Sequence, residues 1–229
     1  MKTVIIADGG REQLAEWAGG WRHLIELDGE PLLHRTVRQY ANHGEVVVLG
    51  PPEYQVPPAR TIQPEPCEEW DHIAMFAKTL PYWGDERTNL VFGDVWFSDR
   101  AVETIVEHDG DWRVFGRPKP SKWTGTRWGE YFCFTLYPEH KGAFKNAMMA
   151  ALHAFASGAH HRVTPWEVYY AMEGLPFKIT GKHAHTGPHW TTIDDWTDDF
   201  DFIEDVERWR KRRRSRSARS TLPTSATSS

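Results

Sequence analysis

Apolar runs at residues 2–7, 45–50 and 89–92 are short, nearly uninterrupted and closed by aspartate or glycine. This is the pattern of strands buried on both faces of a parallel sheet. Between the first two, Leu32, Leu33, Val37 and Tyr40 recur at helical spacing after Pro31, and His43-Gly44 close the segment. Proline suits the first turn of a helix, and glycine punctuates its end. A strand–helix–strand order of this kind predicts parallel strands joined by a right-handed crossover. Further strands are expected at 60–62, 112–115, 131–136 and 177–180, and helices at 71–80, 100–108, 140–157, 165–172 and 202–213. Asp28-Gly29-Glu30 is a turn signal, 12–17 suits a helical turn, and the proline-rich stretch 51–66 reads as an extended surface segment. There is no internal repeat.

Composition narrows the class. The chain has 229 residues, 40% of them hydrophobic, with 12 Trp and 11 Phe, enough for a substantial core. Cys67 and Cys133 are far apart and form no CxxC pattern, so neither a disulfide framework nor a structural zinc site is indicated, and a reducing, cytoplasmic setting is expected. No apolar run approaches the ~18 residues of a membrane span, and the opening strand is too short and too polar for a signal peptide. The net charge of -5 conceals an asymmetry. Residues 210–219 hold Arg210, Lys211, Arg212, Arg213, Arg214, Arg216 and Arg219 with no acid, so the body is more acidic than the whole. Such a body is no general nucleic-acid binder, whereas the basic, Ser/Thr-rich end could meet a weak anionic partner. The expected organisation is one α/β domain over 1–209 and a disordered tail over 210–229.

Candidate chemistry begins at Gly93-Asp94, where a buried strand ends in a carboxylate. In open α/β sheets ligands sit outside the carboxyl ends of the strands, and magnesium favours one or two carboxylates together with phosphate oxygens. The loop after the first strand, Ala7-Asp8-Gly9-Gly10-Arg11, would let backbone N–H groups approach a phosphate closely, although it is neither a Walker loop nor a GxGxxG turn. His183, His185 and His189 match no zinc spacing. No GxSxG is present and neither cysteine has a catalytic signature, so covalent acyl chemistry is not indicated.

Residues 21–33, Trp21-Arg22-His23-Leu24-Ile25-Glu26-Leu27-Asp28-Gly29-Glu30-Pro31-Leu32-Leu33, resemble the second signature of sugar nucleotidyltransferases and MobA-like NTP transferases, typically PKxLLPVxGKPLL. The resemblance continues in order. Residues 2–11 sit where that family has a strand and a Gly-rich LAGGxGxR loop, Gly93-Asp94-Val95 where it has its metal-binding GDv, and 199–205 where it has DIDTPED. Three departures touch the grip on a triphosphate: Glu12 stands at the loop's second glycine, Leu14 at its arginine, and Arg22 at the lysine of the second signature.

The resemblance implies a Rossmann-like, glycosyltransferase-A-type three-layer sandwich around a mostly parallel mixed central sheet. It implies a Mg2+ (or Mn2+) site at Asp94 and Asp199, with Asp201 as the alternative second ligand. A nucleoside triphosphate would be held by Ala7, Asp8, Gly9, Gly10, Arg11, Arg22 and Gly93, with Arg11, Arg22 and Asp94 catalytic. The loop over 115–130 would face a phosphorylated sugar or similar acceptor. There Arg117, Lys119 and Lys122 could bind phosphate, Trp128 could stack on a sugar or base, and Glu130 could bond hydroxyls. The implied activity is nucleotidyl transfer with pyrophosphate release. A glycosyltransferase using a nucleotide sugar, and a nucleotide-binding protein without turnover, are the alternatives on the same fold.

Overall fold

The computed structural model describes residues 1–7, 21–64, 72–160, 163–177 and 186–220. In chain order the strands are β1 (Lys2–Ile6), β2 (Glu26–Leu27), β3 (Glu30–Pro31), β4 (Glu45–Leu49), β5 (Arg60–Ile62), β6 (Thr88–Phe92), β7 (Val95–Trp96), β8 (Arg113–Arg117), β9 (Glu130–Leu136), β10 (Trp190–Thr192) and β11 (Asp198–Asp199). The helices are α1 (Leu32–Ala41), α2 (His72–Thr79), α3 (Asp99–Val106), α4 (Lys141–Ala156), α5 (Pro165–Glu173) and α6 (Ile203–Ser220).

Seven strands form the central sheet in the order β10-β8-β9-β6-β1-β4-β5. All neighbours are parallel except at β9, which runs antiparallel to both β6 and β8. The centre is as apolar as the sequence pattern requires: every residue of β6 is buried, as are Val4 to Ile6 of β1 and Val46 to Leu49 of β4. From β1 the chain crosses through α1 to β4 on one side, then returns from β5 through α2 to β6 on the other. Right-handed crossovers in opposite directions place α1 and α2 on opposite faces. α3 contacts α1, while α4 contacts both α2 and α5, giving three layers. On the α2 side, Phe76 packs edge-on against Phe92, Phe134 and Phe144.

Local rules set several elements. Thr164 caps α5 and forms a reciprocal capping box with Glu167, Pro165 occupies the first turn, and Gly174 closes the helix with φ 68°. Asp28 and Gly29, both at positive φ, join β2 to β3 through the two-residue turn for which Asp-Gly is preferred. The helix expected to end at Arg213 instead runs to Ser220. Arginine and lysine are good helix formers, and no glycine or proline intervenes before Pro223. The expected division at 209 lies within the span of this helix. Residues 221–229 lie outside the described residues, as do the expected helical turn at 12–17 and most of the expected strand at 177–180.

A second, smaller core sits beside the main one. It gathers Ile25, Leu27, Leu32, Trp96, Trp123, Phe200, Val206 and Trp209, with Trp196 and Ile203 packed on it. Trp123 stacks on Trp196 with ring centroids 3.8 Å apart, and Trp96 meets Trp209 at 4.9 Å. This cluster joins the β2–β3 hairpin, β7, the loop before β9, β11 and α6, the segments that carry the polar groups described next.

Candidate active site

The carboxyl ends of β1, β4, β6 and β8 share one edge of the sheet, and because β9 is antiparallel its first residue, Glu130, lies at that edge too. β1 is where strand order reverses, with β4 on one side and β6 on the other, the switch point at which α/β sheets open a crevice. Gly93 follows β6, and its N–H donates to Ile6 O at 2.9 Å. A side chain there would meet Ala7 Cβ at 3.0 Å, His23 Cδ2 at 3.1 Å and Ile6 O at 3.1 Å. Only a bare backbone lets the 21–25 segment close this tightly on the strand end. His23 is buried, with Nδ1 2.8 Å from the Tyr54 hydroxyl. Next to it, Arg22 is turned toward the acids.

Beyond Gly93 the chain forms a two-strand antiparallel ribbon, β7 against β11, with Asp199 opposite Val95 and the Phe200 N–H donating to Asp94 O at 3.1 Å. This ribbon sets Asp199 and Asp201 beside Asp94, from a region more than 100 residues away in sequence. Arg22 bridges two of the acids, with Nη2 at 3.0 Å from Asp94 Oδ2 and Nη1 at 3.4 Å from Asp201 Oδ1. Carboxylate oxygens of Glu130, Asp199 and Asp201 all lie within 4.8 Å of one another.

Such crowding has an electrostatic consequence. Burial, reinforced by Glu130, Asp198, Asp201 and Asp94, pushes Asp199 well above the usual carboxylate range. Burial does the same to Glu130, with Asp201 adding to it. Asp201 is pushed up to about 6, first by burial and then by Asp94, while Arg22 pulls the other way. Oδ1 of Asp199 and Oε1 of Glu130 are buried and accept no hydrogen bond from the described residues. Anionic oxygens left in this state are costly, and a divalent cation with oxygen ligands would relieve them. The residues present therefore fit a hard cation.

Asp198, one residue away, has a different role. Wholly buried, it accepts from Arg117 Nη2 at 2.8 Å, from Thr124 Oγ1 at 3.0 Å and from Ser121 Oγ. It thereby ties β8 and the loop before β9 to β11. The Trp123 indole N–H donates to Asp195 O, and Arg212 donates to Lys122 O and, at 3.1 Å, to Trp123 O, so α6 fastens the same loop from outside.

Arg22, Gly93, Asp94, Asp199 and Asp201 come together, with Ala7 buried at the end of β1. Asp8, Gly9, Gly10 and Arg11 lie outside the described residues. Arg117, expected to reach an acceptor, is instead 6% exposed and turned into the fold, because Asp198, Trp128 O and Lys119 O take up its guanidinium. Lys122 pairs with Asp194 at the surface. Lys119 is exposed, and Trp128 is 51% exposed with its ring available. Glu130, expected at the acceptor, belongs to the carboxylate group. His183 and His185 lie outside the described residues. His189 sits before β10 at the opposite end of the sheet, stacked on Trp112 and bonded to Glu173. The buried tie made by Asp198 was not expected, nor was the place of Glu130 among the carboxylates. A glutamate opening a strand is an edge signal only once that strand is known to run antiparallel, which residue pattern alone did not reveal.

Sheet order, switch-point crevice and carboxylate edge together define a Rossmann-like α/β fold of the glycosyltransferase-A type. Solved structures bear this out. The chain resembles the CTP:phosphocholine cytidylyltransferase of Streptococcus pneumoniae, with TM-score 0.57 over 92% of this chain and 97% of that one, at 8% identity. It also resembles the 2-C-methyl-D-erythritol 4-phosphate cytidylyltransferase of Thermus thermophilus, with TM-score 0.57 over 93% and 98%, at 13% identity. A Bacillus anthracis protein described as a glucose-1-phosphate thymidylyltransferase gives TM-score 0.59 over 93% and 95%, at 12% identity. These identities establish a shared fold. No protein-family model and no curated protein sequence matches the chain.

Proposed function

We propose that the chain is a nucleotidyltransferase dependent on a divalent cation, joining a nucleoside triphosphate to a phosphorylated sugar or similar acceptor with release of pyrophosphate. The observation that carries this reading is the meeting of Arg22 with Asp94, Asp199 and Asp201 at the switch point between β1 and β6. Asp94, Asp199 and Asp201 would hold Mg2+ or Mn2+, which supplies neutralisation of phosphate charge and polarisation of the reacting phosphoryl oxygens. Arg22 lies within reach of the same place, and its guanidinium can pass from carboxylate to phosphate by exchanging one charge-assisted pair for another. Ala7 and Gly93, at the ends of β1 and β6, flank the same place, and Asp8, Gly9, Gly10 and Arg11 would be the nucleotide's contacts. Trp128 offers a face for an acceptor ring, and Lys119 a charge for its phosphate. An acceptor phosphate arrives ionised, so no general base is needed.

A glycosyltransferase using a nucleotide sugar is favoured by one observation, Glu12 and Leu14 at positions where the resembled family grips a triphosphate. Product analysis separates the readings. Pyrophosphate released from an NTP with a sugar phosphate supports nucleotidyl transfer. NDP released from a nucleotide sugar replaces it with glycosyl transfer, and nucleotide binding with neither product leaves a binding protein.

Cation binding will depend on pH in a defined direction. Asp201 must lose its proton to ligate, and it titrates at about 6. In the cation-free protein its raised pKa makes a stabilising contribution that is complete below the ordinary carboxylate value and lost as pH rises through about 6. Added Mg2+ is therefore expected to raise the melting temperature strongly at pH 7.5 and weakly at pH 5, measured by thermal denaturation with and without the ion. Equal shifts at both values would remove Asp201 from the ligand set.

A further inference from the structure

We infer that Glu130 is a cation ligand and not a contact to acceptor hydroxyls, joining Asp199 and Asp201, whose oxygens it faces, in the set proposed with Asp94. The inference rests on the proposed cation dependence and adds a residue to it. Glu130 opens β9 at the carboxyl edge of the sheet, two residues after exposed Trp128. It is 8% exposed, and Asp199 is 7% exposed, so neither has the open surface that a contact with an incoming sugar requires. Their inner oxygens, Glu130 Oε1 and Asp199 Oδ1, accept no hydrogen bond from the described residues, and both lie in the group whose oxygens fall within 4.8 Å of one another.

Among the described residues, the nearby cations are shared between this group and other acceptors. Arg117 gives its Nη groups to Asp198, Trp128 O and Lys119 O, and approaches Asp199 Oδ1 only at 3.7 Å. Arg22 bridges Asp94 and Asp201. The three-acid group is thus left with more negative charge than its surroundings balance, on oxygens too deep for bulk water. Two means of balance remain, protons or a cation. Asp201, 39% exposed at its side chain, gives an ion a route in from solvent. All three donors are carboxylate oxygens with no histidine or thiolate among them, which selects a hard divalent ion such as Mg2+ or Mn2+.

The test uses Mn2+ as the probe, without nucleotide, on the full chain. Bound Mn2+ is read by loss of the free-ion electron paramagnetic resonance signal, and thermal denaturation is followed in parallel. Wild type is expected to bind Mn2+ and to melt higher when it does. Glu130→Gln is expected to weaken Mn2+ binding at least tenfold and to lose the Mn2+-induced melting shift, while melting higher than wild type in EDTA, because a buried unpaired acid has been removed. Glu130→Asp, which keeps the charge but draws the carboxylate back, should fall between them. Wild-type Mn2+ affinity in Glu130→Gln overturns the inference, and if pyrophosphate release is lost at the same time, Glu130 serves the acceptor while the proposed activity stands. A Glu130→Gln chain that fails to fold in EDTA overturns it too, since the inference requires the metal-free variant to be the more stable. Absence of Mn2+ binding by wild type also overturns it, and pyrophosphate release then decides separately whether nucleotidyl transfer survives.

Discussion

Asp198→Ala is expected to destabilise the protein by about 3–5 kcal/mol, the cost of breaking a buried ion pair by removing one partner. Asp198 is wholly enclosed, and its carboxylate accepts from Arg117, Thr124 and Ser121. Alanine would leave the Arg117 guanidinium buried without its counter-charge and two hydroxyl donors without their acceptor. For a chain of this size the loss corresponds to a fall in melting temperature of roughly 10 °C. Denaturant unfolding of the variant against wild type checks it. A loss below about 1 kcal/mol would mean that the loop over 121–124 is not fastened through Asp198. Asp198→Asn, which keeps the shape but not the charge, should lose less than alanine, since it can still accept from Ser121 and Thr124.

Asp94→Asn is expected to do the reverse, cutting pyrophosphate release by on the order of 100- to 1,000-fold with little effect on stability. Asp94 lies between β6 and β7, where its partner is Arg22, and Arg22 has Asp201 at 3.4 Å as a second partner when Asp94 loses its charge. The backbone tie from Phe200 N to Asp94 O does not involve the side chain, so the ribbon of β7 and β11 persists. What is lost is one carboxylate of the proposed cation set. Steady-state turnover at saturating Mg2+ checks the effect, with melting temperature as the control. Turnover within a few-fold of wild type would take Asp94 out of the chemistry. Adjacent regions of one edge are thus expected to carry separable tasks, Asp198 in the frame and Asp94 in the proposed reaction.

How much of this was legible in the sequence depends on where the information lies. The strands of the sheet centre and the amphipathic helices were readable because each declares itself within its own residues: Val46 to Leu49 can be little other than a buried strand, and Thr164-Pro165 with Glu167 marks a helix start. Arg22, Gly93, Asp94, Asp199 and Asp201 were found by motif order, and they converge. The ribbon of β7 with β11 was not readable, since two strands of two residues each have no periodicity and are made by pairing across the chain. At the start of α6, Asp205 accepts from Phe202 N. Arg117 could not be told from a surface arginine, because its burial is decided by an aspartate 81 residues on.

The satellite core has a consequence for how the molecule is made. Trp96 lies between the guanidinium groups of Arg35, at 4.8 Å, and Arg213, at 4.7 Å, and Arg213 also covers Trp209. The hairpin that follows Arg22 and the ribbon that carries Asp199 are therefore clasped by Trp209 and Arg213 of α6. During synthesis the sheet through β9 can collapse early, as its strands pair with segments already translated. The edge that carries the carboxylates is complete only with α6 closed over Trp96. Loss of α6 would remove that clasp from the ribbon of β7 and β11.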